Sequence, residues 1–337
     1  MQHIGFASIH LKEPVYINAY ASIVGKKEGD GPLAKYFDES IEDALFGGNN
    51  FEDAESHLQS KTIRRLLNKS NLNEKDINYL LAGDLLGQLI ATSFGIATFD
   101  IPFLGLYGAC STFGEALSLG ALLVSGGFAD KLISMASSHF CSAEKTFRFP
   151  LGYGSQRRFS ATWTVTGCGA VILSSLATNA KAKVTGITTG KIVDFGLKDK
   201  ENMGACMAPA AADTIHTHFG DFNRTEDYYD KIITGDLGYV GQKILIDLLK
   251  DLGHDISDKH MDCGIEIFDS NTQDTHSGGS GCGCSATCFC GYIMNKLETG
   301  EYKRVLFIPT GALLSPTSSN EGNNVPGIAH AVVIEAI

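Results

Sequence analysis

The chain has 337 residues, of which 44% are hydrophobic and 19% are charged. This length and composition exclude a disordered, collagen-like or coiled-coil chain, and they suffice for one large α/β domain or for two ordinary domains. The 27 basic and 38 acidic residues give a formal net charge of −11, which argues against a nucleic-acid partner. The chain opens with no export signal and contains no apolar run of membrane-spanning length, so we expect an intracellular protein with reduced cysteines.

The first elements alternate between helix and strand in chain order. A helix-forming stretch over 53–67 precedes a buried strand over 79–82, which Gly83 and Asp84 end. A second strand, 101–107, leads into the turn Gly108-Ala109-Cys110-Ser111-Thr112, and a helix of small residues follows over 113–125. This alternation predicts an α/β fold.

The second half of the sequence repeats this plan. Gly283 and Cys284 open a helix that runs to about residue 296, and a strand over 303–309 follows. Cys110 and Cys284 are 174 residues apart, the same spacing that separates Gly126 from Gly300. The repeat predicts a duplication. The alternative is that any α/β chain alternates in this way.

The duplication divides the chain into halves of 1–180 and 181–337, which we expect to pack as one unit. Between the repeats, Asp213 follows the segment 207–212, which is rich in methionine, alanine and proline. Because aspartate is a favoured N-cap residue, we expect it to cap a helix that begins near Thr214.

Several sequence strings carry a resemblance to known families. The turn around Cys110 at the start of a buried helix resembles the thiolase and ketoacyl-synthase superfamily, which implies a duplicated, five-layered αβαβα sandwich with Cys110 at the start of a central helix. Longer strings over almost the whole chain resemble the stage V sporulation protein AD family of spore-forming bacteria. These strings are Ala82–Gln88, Gly108–Thr112, Thr164–Gly167, Met207–Ile215, Thr234–Gly238, Gly278–Gly281 and Thr310–Pro316. The closer resemblance implies binding of dipicolinic acid (pyridine-2,6-dicarboxylate) during its movement into the developing spore.

Cys110 is the first candidate site residue. A helix N-terminus offers unpaired N–H groups that stabilise an anion, so a cysteine there has a lowered pKa and can act as a nucleophile. The alternative is an inert buried thiol. Condensing enzymes of this superfamily also need a His-His or His-Asn pair beside the cysteine. Asp236 stands where one partner is expected, and only His276 is near the other place, so we expect a binding pocket without condensing activity.

A dicarboxylate needs cations, and the segment 146–160 supplies Arg148, Arg157 and Arg158 together with aromatic residues. Its aromatic side chains, which can stack on a pyridine ring, are Phe147, Phe149, Tyr153 and Phe159. The alternative is a surface or dimer-interface loop. Further candidate ligand-binding residues, predicted to orient or hydrogen-bond the ligand, are Asp84, Gln88, His139 and Gln156.

The cysteine cluster at 282–290 is the one candidate metal site in the sequence. It contains two C-x-C pairs, whereas zinc and iron–sulfur sites use mostly C-x-x-C spacing. Packing of small buried residues between two central helices explains the cluster with less strain. We therefore predict neither a metal nor a cofactor, and the glycine motifs match no nucleotide-binding pattern.

The favoured function is dipicolinic acid binding for uptake into the spore, in a degenerate thiolase-like pocket of a non-enzyme. The resemblance implies partnership with membrane proteins of the same transport system at the spore inner membrane, and a homodimer by analogy with the superfamily. It leaves open whether calcium accompanies the ligand. Two alternatives remain: an active acyltransferase or β-ketoacyl synthase that uses Cys110 as its nucleophile, and a scaffold with a vestigial pocket.

Overall fold

The structure is a computed structural model that describes residues 2–147 and 157–337. The strands are β1 (Gln2–Ile4), β2 (Ser8–Gly25), β3 (Glu39–Ile41), β4 (Tyr79–Gly83), β5 (Phe103–Gly105), β6 (Lys131–Ser138), β7 (Trp163–Thr164), β8 (Gly167–Ser174), β9 (Ala182–Thr188), β10 (Lys231–Thr234), β11 (His260–Asp262), β12 (Gly279–Ser280), β13 (Arg304–Ile308), β14 (Thr310–Ala312), β15 (Gly327–Ala329) and β16 (Ala331–Ala336). The helices are α1 (Lys26–Gly29), α2 (Phe51–Ser70), α3 (Ile90–Ile96), α4 (Thr112–Ser125), α5 (Phe140–Phe147), α6 (Met203–Phe222), α7 (Gly238–Asp251), α8 (Cys263–Glu266), α9 (Cys282–Cys288), α10 (Met294–Glu298) and α11 (Pro316–Asn320). A π-helical segment, Phe289–Ile293, joins α9 to α10.

One large sheet runs through the molecule, and its two ends have the same strand arrangement. The order is β11-β10-β13-β16-β9-β2-β8-β6-β4-β5. In each half, the second strand from the outer end pairs in parallel with both of its neighbours, and the next two pairings towards the middle are antiparallel. Antiparallel pairing of β2 with β9 joins the halves. The predicted boundary at residue 180 lies between β8 and β9 and stays a prediction.

The first-half and second-half strands form two sheet layers. Helices lie between these two layers and on both outer faces, so the predicted five-layered αβαβα sandwich is confirmed. On one outer face, α2 buries Leu58, Ile63 and Leu66 against the first-half strands. On the other outer face, α6 and α7 cover the second-half strands. The central layer contains α4, α9 and the π-helical segment that follows α9, and the ring centroids of Phe113 in α4 and Phe289 in the π-helical segment are 5.6 Å apart. Burial of each of these phenylalanines stabilises the fold by roughly 2–3 kcal/mol.

The helix predicted to begin near Thr214 is longer than the sequence indicates. It is α6, which begins at Met203 and is capped by Asn202, whose side chain accepts a hydrogen bond from Ala205 N–H at 3.4 Å. The prediction of a cap at Asp213 was wrong, since Asp213 lies mid-helix and pairs with Lys191 at 2.8 Å. Pro209 sits inside the helix because only one backbone bond is lost there and the surrounding residues are buried.

All nine cysteines are free thiols, and eight of them are buried. Cys284 and Cys288 lie on α9, where their thiols donate to backbone carbonyls of Gly235 and Cys263 at 3.5 and 3.6 Å. Among the described residues, no helix is both long and apolar enough to cross a membrane.

Candidate ligand-binding site

Cys110 lies in the turn that leads from β5 into α4. Ala109 has a left-handed backbone conformation, with φ of 50°, which costs a residue with a side chain roughly 1–2 kcal/mol. Hydrogen bonds within the turn hold it: Ser111 N–H donates to Gly108 O at 3.0 Å, and the Thr112 hydroxyl donates to Ala109 O at 2.7 Å. The turn thus fixes the thiol immediately before the central helix.

A narrow pocket of about 20 Å³ lies beside Cys110, between residues of both halves. Its apolar lining residues are Leu85, Tyr107, Met203, Ala312 and Leu314. The one charged side chain among its described lining residues is the buried Glu144 of α5, whose carboxyl accepts hydrogen bonds from the Thr164 N–H and hydroxyl at 3.2 and 2.9 Å. No arginine, lysine or histidine is among these described lining residues. The arginines and the histidine that the sequence suggested as ligand-binding or partner residues therefore do not belong to this set.

Asp236 lies directly behind the Cys110 thiol, which is hydrogen-bonded to its carboxyl. The carboxyl also accepts hydrogen bonds from Gly281 N–H at 3.0 Å, from the Ser280 hydroxyl at 3.2 Å and from the Thr310 hydroxyl at 2.9 Å. Burial raises the pKa of Asp236 to about 7 despite these bonds. Of the predicted site residues, Cys110 and Asp236 are therefore in direct contact.

Burial and the neighbouring acid raise the pKa of the Cys110 thiol well above its ordinary value. The expectation that the helix N-terminus lowers this pKa was wrong, because loss of solvation and the Asp236 charge outweigh the helix dipole. A thiol in this state is protonated at neutral pH and is a poor nucleophile. No histidine is among the described residues that line the pocket, so the expected His-His or His-Asn pair is not part of this lining.

Asp84 does not line this pocket. It follows β4, is fully buried, and accepts hydrogen bonds from Leu86 N–H and Thr92 N–H, each at 2.7 Å. Burial raises the pKa of Asp84, and the pKa of the nearby buried Glu55 is raised to about 8 by burial first and by the Asp84 charge second. Asp84 thus shapes the turn after β4, and its contacts are within the first half.

The remaining predicted residues lie away from the Cys110 pocket. Gln88 is exposed and has a left-handed φ of 56°. His139 is buried next to a different cavity, where its Nε2 is 2.8 Å from Ala44 O and its Nδ1 accepts from Cys141 N–H at 3.2 Å. Both ring nitrogens are therefore engaged, and burial lowers the pKa of His139, so a neutral ring is favoured.

Arg157, Arg158 and His276 lie close together through Asp274 and Asp199. The Arg157 guanidinium donates to Asp274 O at 2.7 Å and is 3.4 Å from the Asp274 carboxylate. His276 bridges Arg158 O at 2.7 Å and the Asp274 carboxylate at 3.2 Å, while Arg158 pairs with Asp199 at 2.9 Å. Arg148 and Gln156 lie outside the described residues, as do Phe149 and Tyr153.

Sequence reasoning missed several pocket residues, of which Glu144 is the most informative. A single acid within Phe140-Cys-Ser-Ala-Glu144 is unusual for a buried helix, and this was a usable signal. A second signal was the repeat of Gly83-Asp84-Leu85 as Gly235-Asp236-Leu237, each after a strand. The apolar walls, such as Met203 and Leu314, carry no local pattern that separates a pocket from a core.

Comparison with known proteins places the chain in a family. A sequence model of the stage V sporulation protein AD family matches residues 5–335. Stage V sporulation protein AD of Bacillus subtilis (strain 168) is 44% identical over 324 residues, which cover 96% of this chain and 95% of that protein.

Solved structures with a similar fold are more distant in sequence. Cerulenin-bound OleA of Xanthomonas campestris has a TM-score of 0.62 at 13% identity, covering 97% of this chain and 98% of that chain. The 3-oxoacyl-(acyl carrier protein) synthase III of Xanthomonas oryzae pv. oryzae has a TM-score of 0.60 at 13% identity, covering 97% of this chain and all of that chain. The chain belongs to the stage V sporulation protein AD family and has a thiolase-like fold.

Proposed function

We propose that this protein binds dipicolinic acid in the Cys110 pocket, for uptake into the developing spore, and that it catalyses no condensation. Family membership supports the sporulation role. The observation that carries the non-enzymatic part is the hydrogen bond between Cys110 and Asp236, because an acid at this place keeps the thiol protonated and opposes a developing oxyanion.

Binding of a dianion in this pocket requires that its acids be neutral. Asp236 has a pKa of about 7, so it is half-protonated near neutral pH. A ligand carboxylate next to Asp236 favours the protonated form of Asp236, so Asp236 takes up a proton when the ligand binds. We therefore expect dipicolinate to bind more tightly at pH 6 than at pH 8, with measurable proton uptake in buffers of different ionisation enthalpy.

Calorimetry with dipicolinate, with and without calcium, tests the proposal. Ala312→Phe places a ring in the pocket and abolishes binding, whereas the exposed Ala97→Phe leaves it unchanged. A circular dichroism melt of both variants separates loss of the pocket from loss of the fold. Arg157→Ala tests the arginine cluster, and unchanged affinity there removes that cluster from the binding site.

The alternative functions have their own outcomes. Incubation with an acyl-CoA followed by mass spectrometry gives no adduct on Cys110 if the protein is a binding protein. An adduct with turnover contradicts the proposal and supports an acyltransferase or β-ketoacyl synthase. Absence of both adduct and dipicolinate binding supports a scaffold with a vestigial pocket.

We also propose a homodimer formed through β5, and attachment to membrane proteins of the same transport system. β5 is the end strand of the sheet, and in the described part of the chain no strand pairs with its outer edge. Leu104 and Tyr107 are 45% and 49% exposed there, and such an edge invites pairing with a second copy. Sedimentation of Leu104→Lys gives a monomer if this edge forms the interface, whereas an unchanged dimer contradicts this placement.

A further inference from the structure

A second pocket lies next to the Cys110 pocket, on the other side of β7. Thr164 lines the Cys110 pocket, whereas its neighbour Trp163 lines this second pocket, which measures about 160 Å³. We call it the Trp163 pocket. It also includes Lys26, Lys27, Phe46 and Phe140 among its lining residues.

The walls of the Trp163 pocket are aromatic. Phe140 stacks on Trp163, with ring centroids 3.9 Å apart and planes 12° apart. Phe46 comes from the loop before α2 and packs edge-on against the ring of His139, with centroids 6.0 Å apart. Flat apolar walls of this kind suit a planar ring, which gains both burial and ring–ring contact.

Lys27 supplies a positive charge whose counter-ion is missing among the described residues. Its Nζ lies 4.3 Å from the centroid of Trp163 and donates to Gln273 O at 2.5 Å. No carboxylate of the described residues is within 4.0 Å of it, whereas the exposed Lys26 pairs with Glu42 at 3.2 Å. An ammonium group has three donors, so Lys27 keeps capacity for a ligand.

Two neighbouring charges do not cancel that of Lys27. The Arg157 guanidinium lies 4.9 Å from the centroid of Trp163 and is paired with the Asp274 carboxylate at 3.4 Å, so these two charges offset each other. The buried Glu28 carboxyl accepts a hydrogen bond from Thr166 N–H at 3.0 Å, and burial raises its pKa to about 7. Glu28 is thus engaged elsewhere and only partly ionised at neutral pH.

We propose that the Trp163 pocket is a second binding site, for a planar aromatic carboxylate, whose ring packs against Phe46 and against the stacked pair of Phe140 and Trp163, and whose carboxylate pairs with Lys27. This site differs from the Cys110 pocket in its charge. The described lining of the Cys110 pocket has one carboxyl and no cation, while the Trp163 pocket has Lys26 and Lys27 together with Glu28 and Glu42, of which Glu42 pairs with Lys26. The proposal does not depend on dipicolinic acid binding beside Cys110.

Trp163 is the only tryptophan of the chain, so its fluorescence reports on this part of the molecule. Titration with benzoate, excited at the red edge of indole absorption, should give a saturable change, whereas the neutral isostere benzamide should give none. Lys27→Met should weaken benzoate binding about tenfold or more, since a charge-assisted hydrogen bond is lost. Lys27→Arg should keep binding within a few-fold, and the exposed Lys12→Met serves as the matched control.

Three results overturn the proposal: no saturable change with benzoate, equal responses to benzoate and benzamide, or wild-type affinity in Lys27→Met. If Lys27→Met lowers the melting temperature, its loss of binding is not informative. The proposal is then tested by the affinity of Lys27→Arg for benzoate and by the comparison of benzoate with benzamide. The Ala312→Phe variant separates the two pockets. Loss of the benzoate response in Ala312→Phe but not in Lys27→Met places benzoate in the Cys110 pocket and rejects the second site, while dipicolinate calorimetry judges the proposed function separately.

Discussion

Two copies of one short segment have different environments in the two halves of this molecule. Gly83-Asp84-Leu85 follows β4, and Gly235-Asp236-Leu237 follows β10, and these strands have equivalent places in the sheet. Asp84 uses its carboxyl to hold the backbone of its own half, through Leu86 and Thr92. Asp236 instead reaches Cys110 of the opposite half.

The difference shows how a duplicated fold produces a single pocket. Both acids are buried and both have a raised pKa because of that burial. Asp236 contacts Cys110 and Ser280, which line the cavity, whereas the carboxyl of Asp84 binds backbone groups of its own half. The fold is nearly symmetric in its strands, whereas its chemistry is carried by the contacts that cross from one half to the other.

The largest expected effect concerns how closely α9 approaches the first-half strands beside Asp236. A Cβ at Gly283 would lie 2.4 Å from Gly167 O and 2.8 Å from Ser138 N, and neither backbone atom can yield. At Gly114 in α4, the nearest atoms are side-chain carbons of Pro309 at 3.1 Å. We expect Gly283→Ala to lower the free energy of unfolding by about 3 kcal/mol and Gly114→Ala by about 1 kcal/mol, measured by urea denaturation. Equal losses would mean that both central helices are packed equally tightly.

The second prediction concerns pH and the charge of Asp236. Its pKa is 3.8 in a free side chain and about 7 in the fold, so the folded state holds a proton that the unfolded chain releases. Below pH 3.8 Asp236 is protonated in both the folded and the unfolded chain, and its raised pKa does not affect stability. Between pH 3.8 and about 7 the free energy of unfolding falls as the pH rises, and above about pH 7 this loss is complete and stays constant. From about pH 5 to about pH 8 this residue alone should lower the free energy of unfolding by about 2 kcal/mol.

Asp236→Asn is the variant that isolates this contribution. Because asparagine carries no charge at either pH, the stability of the variant should vary less between the two conditions than that of the wild type. Glu28 has a pKa of about 7 for the same reason, burial, so part of the pH dependence remains in the variant. An unchanged pH profile in Asp236→Asn would show that Asp236 is ionised in the fold at pH 5.

The third prediction compares the two acids by the same substitution at about pH 5. Asp84 accepts Leu86 N–H on one oxygen and Thr92 N–H on the other, so Asp84→Asn must turn its NH₂ towards a backbone donor. We expect a loss of about 1–2 kcal/mol, the cost of an unsatisfied buried group. In Asp236→Asn the new NH₂ can face the Thr310 hydroxyl, which is able to accept, and the change in stability should be close to zero. Equal losses would remove the distinction between a turn-forming acid and a pocket acid.

The main elements could be predicted from the sequence because periodicity and glycine stops are local signals. The strands at 79–82 and 101–107 and the helix at 113–125 match β4, β5 and α4 within two residues at each end. The start of α6 could not be predicted in this way, since Pro209 inside it imitates a boundary and only burial by neighbouring strands keeps the helix continuous.

The candidate site was less accessible to sequence reasoning. Cys110 and Asp236 follow strands, and the structure brings them together. The state of the thiol depends on burial, which no local pattern gives, so the helix position alone predicted the wrong direction of its pKa shift. His139 also follows a strand, but it lines the Trp163 pocket instead of the Cys110 pocket. One of its ring nitrogens is bonded to Ala44 O, which is far away in the sequence, and the other accepts from the nearby Cys141 N–H.

The smallest predicted effect concerns the outer helices, α2 and α6, which occupy corresponding layers in the two halves. The Asn50 side chain caps α2 by accepting from Glu52 N–H and Asp53 N–H, each at 3.0 Å, whereas Asn202 caps α6 with one bond of 3.4 Å. We expect Asn50→Ala to lower the free energy of unfolding by about 1 kcal/mol and Asn202→Ala by about half of that.

Since Asn50 is exposed and Asn202 lies next to Met203 at the Cys110 pocket, Asn202→Ala should in addition weaken dipicolinate binding, while Asn50→Ala should not. Calorimetry of both variants checks this, and a weaker affinity in Asn50→Ala would show that the pocket responds to the stability of the whole fold rather than to the start of α6.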